Sequence, residues 1–213
     1  MKNKLICFDV DGTLVEAKSS WATLTLGLGA SAQRISEIYL QTESGRMPFD
    51  VGVAEVKEMF CQTGKASKDF IQNIFERVQP KSEAGGLIDY LKQKNYLIYL
   101  ISGGIDAYVA TIARKIGADG FFGHASLEFD ANGMLCQINY GRNQNQAKVA
   151  RLNELSQKFY IPVEEIIFAG DSANDLGAFQ ITKHGIAVEP FDEILQPASW
   201  KTVKSLLEIK NIL

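Results

Sequence analysis

The chain has 213 residues, of which 46% are hydrophobic and 22% are charged, and its formal net charge is −3. These values are typical of a soluble globular protein with one sizeable domain, or with one domain that carries an inserted cap. They exclude a globally basic surface for nucleic acid, and no apolar run approaches the roughly 18 residues of a membrane span. We therefore expect neither nucleic acid nor a membrane as a partner.

The first apolar stretch and the cysteines indicate a reducing compartment. Leu5–Phe8 is too short for the hydrophobic region of a signal peptide. Cys7, Cys61 and Cys136 are scattered without CxxC spacing, so neither a disulfide framework nor a zinc site is predicted. We expect a cytoplasmic protein. A monomer and a homodimer are both compatible with the sequence.

A buried strand is predicted over 4–10, and it leads into a tight loop. Apolar residues then recur at helical spacing, which predicts a compact helical insertion from about 19 to 79. After Pro80 helices are predicted over 84–94, 105–116, 144–159, 174–180 and 202–212, and strands over 96–101, 165–169 and 185–188. Strands over 125–129 and 134–140 flank a turn and predict a hairpin, either separate or an extension of the sheet edge.

This alternation predicts an α/β fold: a Rossmann-like three-layer α/β/α core with a parallel sheet, and a helical cap inserted after the first strand. We place the core domain at 1–15 and 80–213, and the cap domain at 16–79. Ligands of such sheets bind beyond the carboxyl ends of the strands. Three polar clusters begin where predicted strands end, at 9–13, 102–104 and 170–175. We expect all three to face one crevice.

Two pairs of acidic residues follow predicted strands. Asp9 and Asp11 are two residues apart, and Gly12 permits a tight turn beside them. One carboxylate of such a pair can attack phosphorus, and the pair can bind a hard cation. Asp171 and Asp175 either cap the next helix or join the same site. Four acids in one crevice would repel one another, which favours a Mg²⁺ site formed by Asp9, Asp11, Asp171 and Asp175.

Ser102, Gly103 and Lys148 carry groups that suit a phosphate. A serine hydroxyl and glycine N–H groups at a helix N-terminus can bind phosphate oxygens, and a lysine can neutralise the nucleophile. Alone, Ser102–Gly104 would be an ordinary turn and Lys148 an ordinary surface charge. Their order and their places at strand ends favour a phosphate site instead. Asn174 adds an amide that can orient the neighbouring groups.

These motifs together resemble the haloacid dehalogenase-like hydrolase superfamily. Motif one is similar to Asp9-Val-Asp-Gly-Thr13, motif two to Ser102, motif three to Lys148 and motif four to Gly170–Asp175. The resemblance spans Leu5 to about Val188, and the helical insertion has the position of the family's C1 cap. Among the branches of the superfamily, the phosphoserine phosphatases are the most similar.

The resemblance implies a magnesium-dependent phosphomonoesterase that acts on a small phosphorylated metabolite. Asp9 would attack phosphorus and become an aspartyl phosphate, and Asp11 would protonate the leaving alkoxide and then activate water. Lys148 would neutralise charge on the nucleophile. The implied phosphate ligands are Thr13 and Ser102 with N–H groups near Asp11, Gly12 and Gly103. The implied metal ligands are Asp9, the Asp11 carbonyl and Asp171, with Asp175 nearby.

The substrate-recognition residues of the phosphoserine branch are not found. The glutamate for the amino group falls on Lys18, and the arginine for the carboxylate falls near Val53–Glu55. A lysine would repel the ammonium group of phosphoserine. We expect a different small ester, with a further anionic group near Lys18 or Arg46, unless both are solvated surface charges. Phe49 would either line the cap side of the pocket or pack in the cap core.

Three alternatives stay open. The chain could be a phosphoserine phosphatase proper, it could transfer phosphate to a second small molecule, or, least favoured, it could bind phosphate without catalysis. The presence of Asp9, Asp11 and Lys148 together disfavours the last. The dehalogenases lack an acid at the position of Asp11, and the missing membrane spans exclude a transport ATPase.

Overall fold

A computed structural model describes residues 4–190 and 192–213, so residues 1–3 and Phe191 of the predicted core domain lie outside the described residues. Six parallel strands form the main sheet in the order β3-β2-β1-β6-β7-β8. They are β1 (Lys4–Phe8), β2 (Tyr96–Ile101), β3 (Gly120–Phe122), β6 (Ile167–Gly170), β7 (His184–Val188) and β8 (Lys201–Val203). A separate antiparallel pair is formed by β4 (Ala125–Phe129) and β5 (Leu135–Tyr140).

Helices within the described residues cover both faces of the main sheet. Four of them lie between β1 and Pro80, namely α1 (Ser20–Leu28), α2 (Ala32–Glu43), α3 (Phe49–Gln62) and α4 (Lys68–Arg77). The others are α5 (Ser82–Gln93), α6 (Asp106–Ile116), α7 (Gln144–Phe159), α8 (Leu176–Thr182) and α9 (Leu195–Ala198). None of the helices within 4–190 and 192–213 is long and apolar enough to span a membrane.

Strand β1 shows why the fold has three layers. It lies at the centre of the sheet, and Ile6 is paired with Ile98 of β2 and with Ile167 of β6. Ile6 packs in a core with α1, α3, α4, α5 and α6, whereas Cys7 packs in a second core with α7 and α8. A strand that is buried on both faces has a continuous apolar sequence, which is why this strand was predictable. The predicted three-layer α/β/α architecture is confirmed.

The segment from α1 to α4 is helical, as predicted. Three of its helices begin at a serine whose hydroxyl accepts a main-chain N–H, which satisfies donors that a helix start leaves free: Ser19, Ser31 and Ser67. Helix α1 ends at Gly29, which has a left-handed φ of 74°. Residues of this segment share one apolar core with α5 and α6. The division into a cap domain at 16–79 and a core domain therefore stays a prediction.

The β4–β5 hairpin is a sheet of its own and not an extension of the main sheet. Ala125 makes only an isolated bridge to Ile105 at the start of α6. The hairpin is instead bonded to the helical segment, since the Leu135 N–H donates to the Ala66 carbonyl at 2.8 Å. The Lys68 N–H likewise donates to the Gly133 carbonyl at 2.9 Å. The hairpin thus connects the helical segment α1–α4 to the loop that follows the carboxyl end of β2.

The predicted helix over 202–212 is wrong. Lys201–Val203 forms the edge strand β8 beside β7, and only Leu206–Asn211 is helical, as a 3-10 helix. Val203, Leu206 and Ile209 are all buried at intervals of three residues, a spacing that suits a 3-10 helix and imitates an α-helix in sequence. The three-residue strand β3 was not predicted because it is too short to show a pattern. Strand β6 begins at Ile167 and not at residue 165, because Val163–Glu165 forms a 3-10 turn.

Candidate active site

The three polar clusters meet at one edge of the sheet, because β2, β1 and β6 are neighbours and all run in the same direction. Asp9 follows β1 directly, and its N–H donates to the carbonyl of Ala169 in β6 at 2.8 Å. Ser102 follows β2, and Asp171 follows β6. The sheet order therefore brings Asp9 together with residues that are more than 90 positions away in the sequence.

Three buried carboxylates form a cluster at this edge. One oxygen each of Asp9, Asp171 and Asp175 lies within 4.8 Å of the others. Burial, together with the charge of Asp9, raises the pKa of Asp171 above its usual range. Burial also raises the pKa of Asp175 to about 7, against the opposing effect of Lys148. Close, buried carboxylate oxygens are a fitting donor set for a hard divalent cation such as Mg²⁺.

Lys148 lies inside this cluster and not on the surface. Its side chain is 1% exposed, and its Nζ donates to Asp9 Oδ1 at 2.7 Å, to Asp175 Oδ1 at 2.5 Å and to Asn174 Oδ1 at 2.9 Å. Burial alone would lower the pKa of Lys148, but the charges of Asp175 and Asp9 raise it above its usual value. The ammonium group therefore stays charged beside Asp9.

Asp175 both caps a helical turn and takes part in the candidate site, the two roles that its sequence position suggests. Its Oδ2 accepts the N–H groups of Asp171 and Ser172 at 3.1 and 3.2 Å, as a residue at the start of a helical turn does. Its other oxygen binds Lys148. One carboxylate thus shapes the loop after β6 and also holds the lysine of the site.

Asp11 is not one of the three carboxylates of this cluster. Its Oδ2 accepts the N–H of Ser20, the first residue of α1, at 3.1 Å. Its Oδ1 is buried, and the side chain of Tyr108 lies close to the carboxyl group. Burial, and then the charge of Asp9, raise the pKa of Asp11 to about 7. A carboxyl group with this pKa can donate a proton near neutral pH. The main-chain carbonyl of Asp11 is a predicted ligand of the metal ion, and this role of the carbonyl stays a prediction.

Tyr108 was missed by sequence analysis. It is fully buried on α6, and its side chain lies beside Asp11, whose pKa it lowers against the effect of burial. Burial and the charge of Asp11 in turn raise the pKa of the tyrosine. In the sequence Tyr108 is one of several apolar residues at helical spacing, so nothing distinguishes it from ordinary core.

Ser102 and Thr13, the predicted phosphate ligands, are buried at the same edge. Ser102 Oγ accepts the N–H of Gly104 at 3.0 Å, and Thr13 Oγ1 lies 3.5 Å from Asp171 Oδ1. A Cβ placed on Gly104 would lie 3.2 Å from both Ser102 Oγ and Asp11 Oδ2. The serine and the candidate acid therefore flank the same glycine.

Side chains approach two glycines of the site closely. Gly12 has a φ of +79°, and a Cβ there would lie 2.1 Å from Asp171 Oδ2. A Cβ on Gly103 would lie 2.0 Å from Gln144 Oε1. Gln144, a residue that sequence analysis did not consider, therefore reaches the loop after β2 from the start of α7.

The predicted substrate residues before β2 have three different placements. Lys18 Nζ lies 3.2 Å from Asp171 Oδ2, and its side chain is 59% exposed, so it is at the mouth of the site. Phe49 is half-buried and packs on the ring of Tyr140, with 5.6 Å between centroids. Arg46 is exposed and donates to Ser44 Oγ at 2.9 Å within its own loop. The role of Arg46 in substrate binding stays a prediction.

A family model described as haloacid dehalogenase-like hydrolase matches residues 3–180 of the chain. The phosphoserine phosphatase of Lactococcus lactis is 28% identical over 214 residues, which cover 98% of this chain and 92% of that protein. The phosphoserine phosphatase of Archaeoglobus fulgidus is 28% identical over 189 residues, or 87% of this chain, but the match spans only 52% of the archaeal protein.

Solved structures are similar in fold. A phospho-aspartyl intermediate analogue of phosphoserine phosphatase has a TM-score of 0.79 at 24% identity, with both chains fully covered. A HAD family hydrolase from Salmonella enterica has a TM-score of 0.81 at 23% identity, and the match covers 98% of this chain and 70% of that one. At these identities the likeness shows the shared fold.

Proposed function

The chain belongs to the haloacid dehalogenase-like hydrolases, and we propose that it is a magnesium-dependent phosphomonoesterase for a small phosphorylated metabolite. The observation that carries this proposal is the buried contact of 2.7 Å between Lys148 Nζ and Asp9 Oδ1, beside the three-carboxylate cluster. A carboxylate with an adjacent ammonium group can attack a phosphate that would otherwise repel it. The phosphoserine phosphatases among its relatives support the same reaction class.

The reaction takes two steps. In the first, an oxygen of Asp9 bonds to phosphorus, the bond between phosphorus and the alcohol oxygen breaks, and the Asp11 carboxyl gives its proton to the departing alkoxide. In the second, Asp11 takes a proton from water, whose oxygen bonds to phosphorus. The bond between Asp9 and phosphorus then breaks, which releases inorganic phosphate. The pKa of about 7 suits Asp11 to both transfers.

The other proposed site residues bind the phosphate and neutralise negative charge. Lys148 balances charge on Asp9 and on the transferring group, and Ser102 and Thr13 bind phosphate oxygens with the N–H groups of the Gly12 and Gly103 loops. Mg²⁺ would be held by Asp9, Asp171 and the Asp11 carbonyl, with Asp175 and Asn174 beside them. When bound, the ion would neutralise charge on the phosphate oxygens. The free cysteines support a reducing compartment, and we propose the cytoplasm.

Phosphate release from a panel of esters tests this function. The panel contains L-phosphoserine, phosphoglycolate, ethyl phosphate and 4-nitrophenyl phosphate, each with Mg²⁺, with EDTA, and with Mg²⁺ restored. We expect release that EDTA abolishes and Mg²⁺ restores. Absence of release from every ester would contradict the hydrolase proposal. Loss of ester that needs an added alcohol acceptor would favour the phosphotransferase alternative.

Lys18 supports the proposal that the substrate has a second anionic group and is not phosphoserine. Its ammonium group at the mouth of the site would repel the ammonium group of phosphoserine and attract an anion. In Lys18→Gln we expect kcat/KM for phosphoglycolate to fall about tenfold, with ethyl phosphate changed less than about threefold. Arg46→Gln tests the other predicted cation. An equal fall for both esters would mean that Lys18 acts through Asp171 and not on the substrate.

A further inference from the structure

Tyr108 occupies the first turn of α6, directly after the loop that follows β2. Its side chain is fully buried, and its ring contacts the ring of Phe75 in α4 edge to face, with 5.5 Å between the centroids. A phenylalanine would fill the same space in the apolar core. The hydroxyl is therefore the feature of Tyr108 that packing does not explain.

The acceptor beside this hydroxyl is the carboxyl group of Asp11, with which Tyr108 forms a side-chain hydrogen bond. Neither the Tyr108 hydroxyl nor Asp11 Oδ1 has another partner within the described residues, and both atoms are buried. A buried hydroxyl without an acceptor is destabilising, and so is a buried carboxylate oxygen without a donor. The two atoms therefore satisfy each other.

The other oxygen of Asp11 is held by a different helix. Oδ2 accepts the N–H of Ser20, at the start of α1, at 3.1 Å. Ser20 Oγ in turn accepts the N–H of Ile105, which directly precedes α6, at 3.1 Å. The terminal torsion of an aspartate is broad, so a donor at each oxygen is what fixes the direction of this carboxyl group.

Oδ2 is the oxygen that lies near the predicted phosphate ligands. A Cβ placed on Gly104 would lie 3.2 Å from Asp11 Oδ2 and also 3.2 Å from Ser102 Oγ. Tyr108, by contrast, lines neither the cavity of about 300 Å³ at Ser102 and Lys148 nor the cavity of about 730 Å³ beside the hairpin. Tyr108 would therefore act on a bound ester through Asp11 and not by contact.

We propose that Tyr108 is a positioning residue for the proton donor of the reaction. Its hydroxyl donates to Asp11 Oδ1 and keeps Oδ2 directed at the leaving group. The proton then passes from Oδ2 to the alkoxide oxygen as the bond between that oxygen and phosphorus breaks. A positioned acid contributes about 10²–10⁴-fold to such a step, and a small misplacement loses much of that contribution. The inference rests on the proposed phosphomonoesterase function, to which it adds a residue that does not contact the substrate.

Two leaving groups that differ in their need for a proton test the inference. An alkoxide is a poor leaving group and requires the acid, whereas 4-nitrophenolate is a stable anion that departs without a proton. In Tyr108→Phe, we expect kcat/KM for the best alkyl ester of the panel to fall about tenfold, and kcat/KM for 4-nitrophenyl phosphate to stay within about threefold of wild type. Both esters are measured with Mg²⁺ on the same preparation, so any loss of folded protein lowers both rates equally.

A double-variant cycle shows whether the effect passes through Asp11. Asp11→Asn removes the transferable proton and should lower kcat/KM for the alkyl ester by at least about 10²-fold. In that background, Tyr108→Phe should change the remaining rate by less than about threefold, because no proton donor is left to position. A fall of about tenfold in both backgrounds would show that Tyr108 acts independently of Asp11, and the inference would be wrong.

Tyr90→Phe is the matched control. Tyr90 is half-buried near the end of α5 that leads into β2, at the opposite end of that strand from Ser102. Its hydroxyl donates to the Lys210 carbonyl at 3.2 Å. The control also removes one hydrogen-bonded hydroxyl and keeps the ring, and it should leave both esters within about threefold of wild type.

The outcomes separate this inference from the proposed function. If Tyr108→Phe lowers both esters by one common factor, or lowers neither, Tyr108 is core packing and the inference is wrong, while magnesium-dependent release would still establish the phosphomonoesterase. A wild-type protein that hydrolyses 4-nitrophenyl phosphate but no alkyl ester would likewise contradict the inference, because it would use no proton donor. Absence of release from every ester would overturn the proposed function together with the inference.

Discussion

Replacing Asp9 with asparagine should reduce phosphate release by on the order of 10⁴-fold or more. An amide has no negative oxygen with which to form the aspartyl phosphate, while its size and shape are nearly those of the carboxylate. The loss should therefore appear in kcat. Initial rates on the best ester of the panel, with Mg²⁺ present, measure it. Acid-quenched wild-type protein should also show by intact mass one added phosphoryl group, which the variant lacks.

Asp89→Asn is the matched control for this substitution. Asp89 is an exposed carboxylate on α5, so the same chemical change there should leave the rate unchanged. If the Asp9 variant retained a tenth or more of the activity, Asp9 would not be the nucleophile. The assignment would then have to pass to another carboxylate of the cluster.

Replacing Lys148 with methionine should lower both activity and stability. The substitution keeps most of the length of the side chain but leaves the buried Asp9 and Asp175 without the ammonium group that both contact. Breaking a buried ion pair in this way destabilises a protein by about 3–5 kcal/mol. We expect that loss in the free energy of unfolding, measured by urea denaturation in EDTA. We also expect kcat to fall by at least about 10²-fold, because charge on the transferring phosphoryl group is no longer balanced.

Mg²⁺ and a second lysine provide the tests of this explanation. A cation that binds the folded protein stabilises it, so Mg²⁺ should restore part of the lost stability in the Lys148→Met variant without restoring its activity. Lys158→Met changes an exposed lysine of the same helix, α7, and should alter the unfolding free energy by less than about 1 kcal/mol. A Lys148 variant as stable as the wild type would show that the carboxylates are not held by this lysine.

The fold could be predicted where local sequence pattern and tertiary structure agree. The apolar runs of β1 and β2 are buried on both faces, and each ends at a polar residue of the candidate site, so that the strands and their ends were visible in the sequence. Lys148 is a different case. On the polar helix α7 it has the pattern of a surface residue, and only its order among the four motifs placed it in the site.

The remaining parts of the site depend on contacts that local spacing does not encode. Phe49 and Tyr140 are 91 positions apart, and they meet because the hairpin is bonded to the helical segment α1–α4. Tyr108 has the pattern of a core residue, and its position beside Asp11 follows from how α6 packs. The tail was predicted incorrectly because Val203 and Leu206 have helical spacing, although Val203 pairs with Val188 in the sheet.

The central position of β1 determines the order in which this site can assemble as the chain is translated. Once residues up to the hairpin have emerged, β1 can pair with β2 and bring Asp9 beside Ser102. Lys148, Asp171 and Asp175 are still to be synthesised at that point, and β6 is paired with β1 across about 160 residues. Pairings of such sequence separation form late, since the loop between them must first be closed. A chain that terminates before Lys148 would therefore contain the proposed nucleophile without the lysine proposed to neutralise it, and the proposed activity would require the last third of the polypeptide.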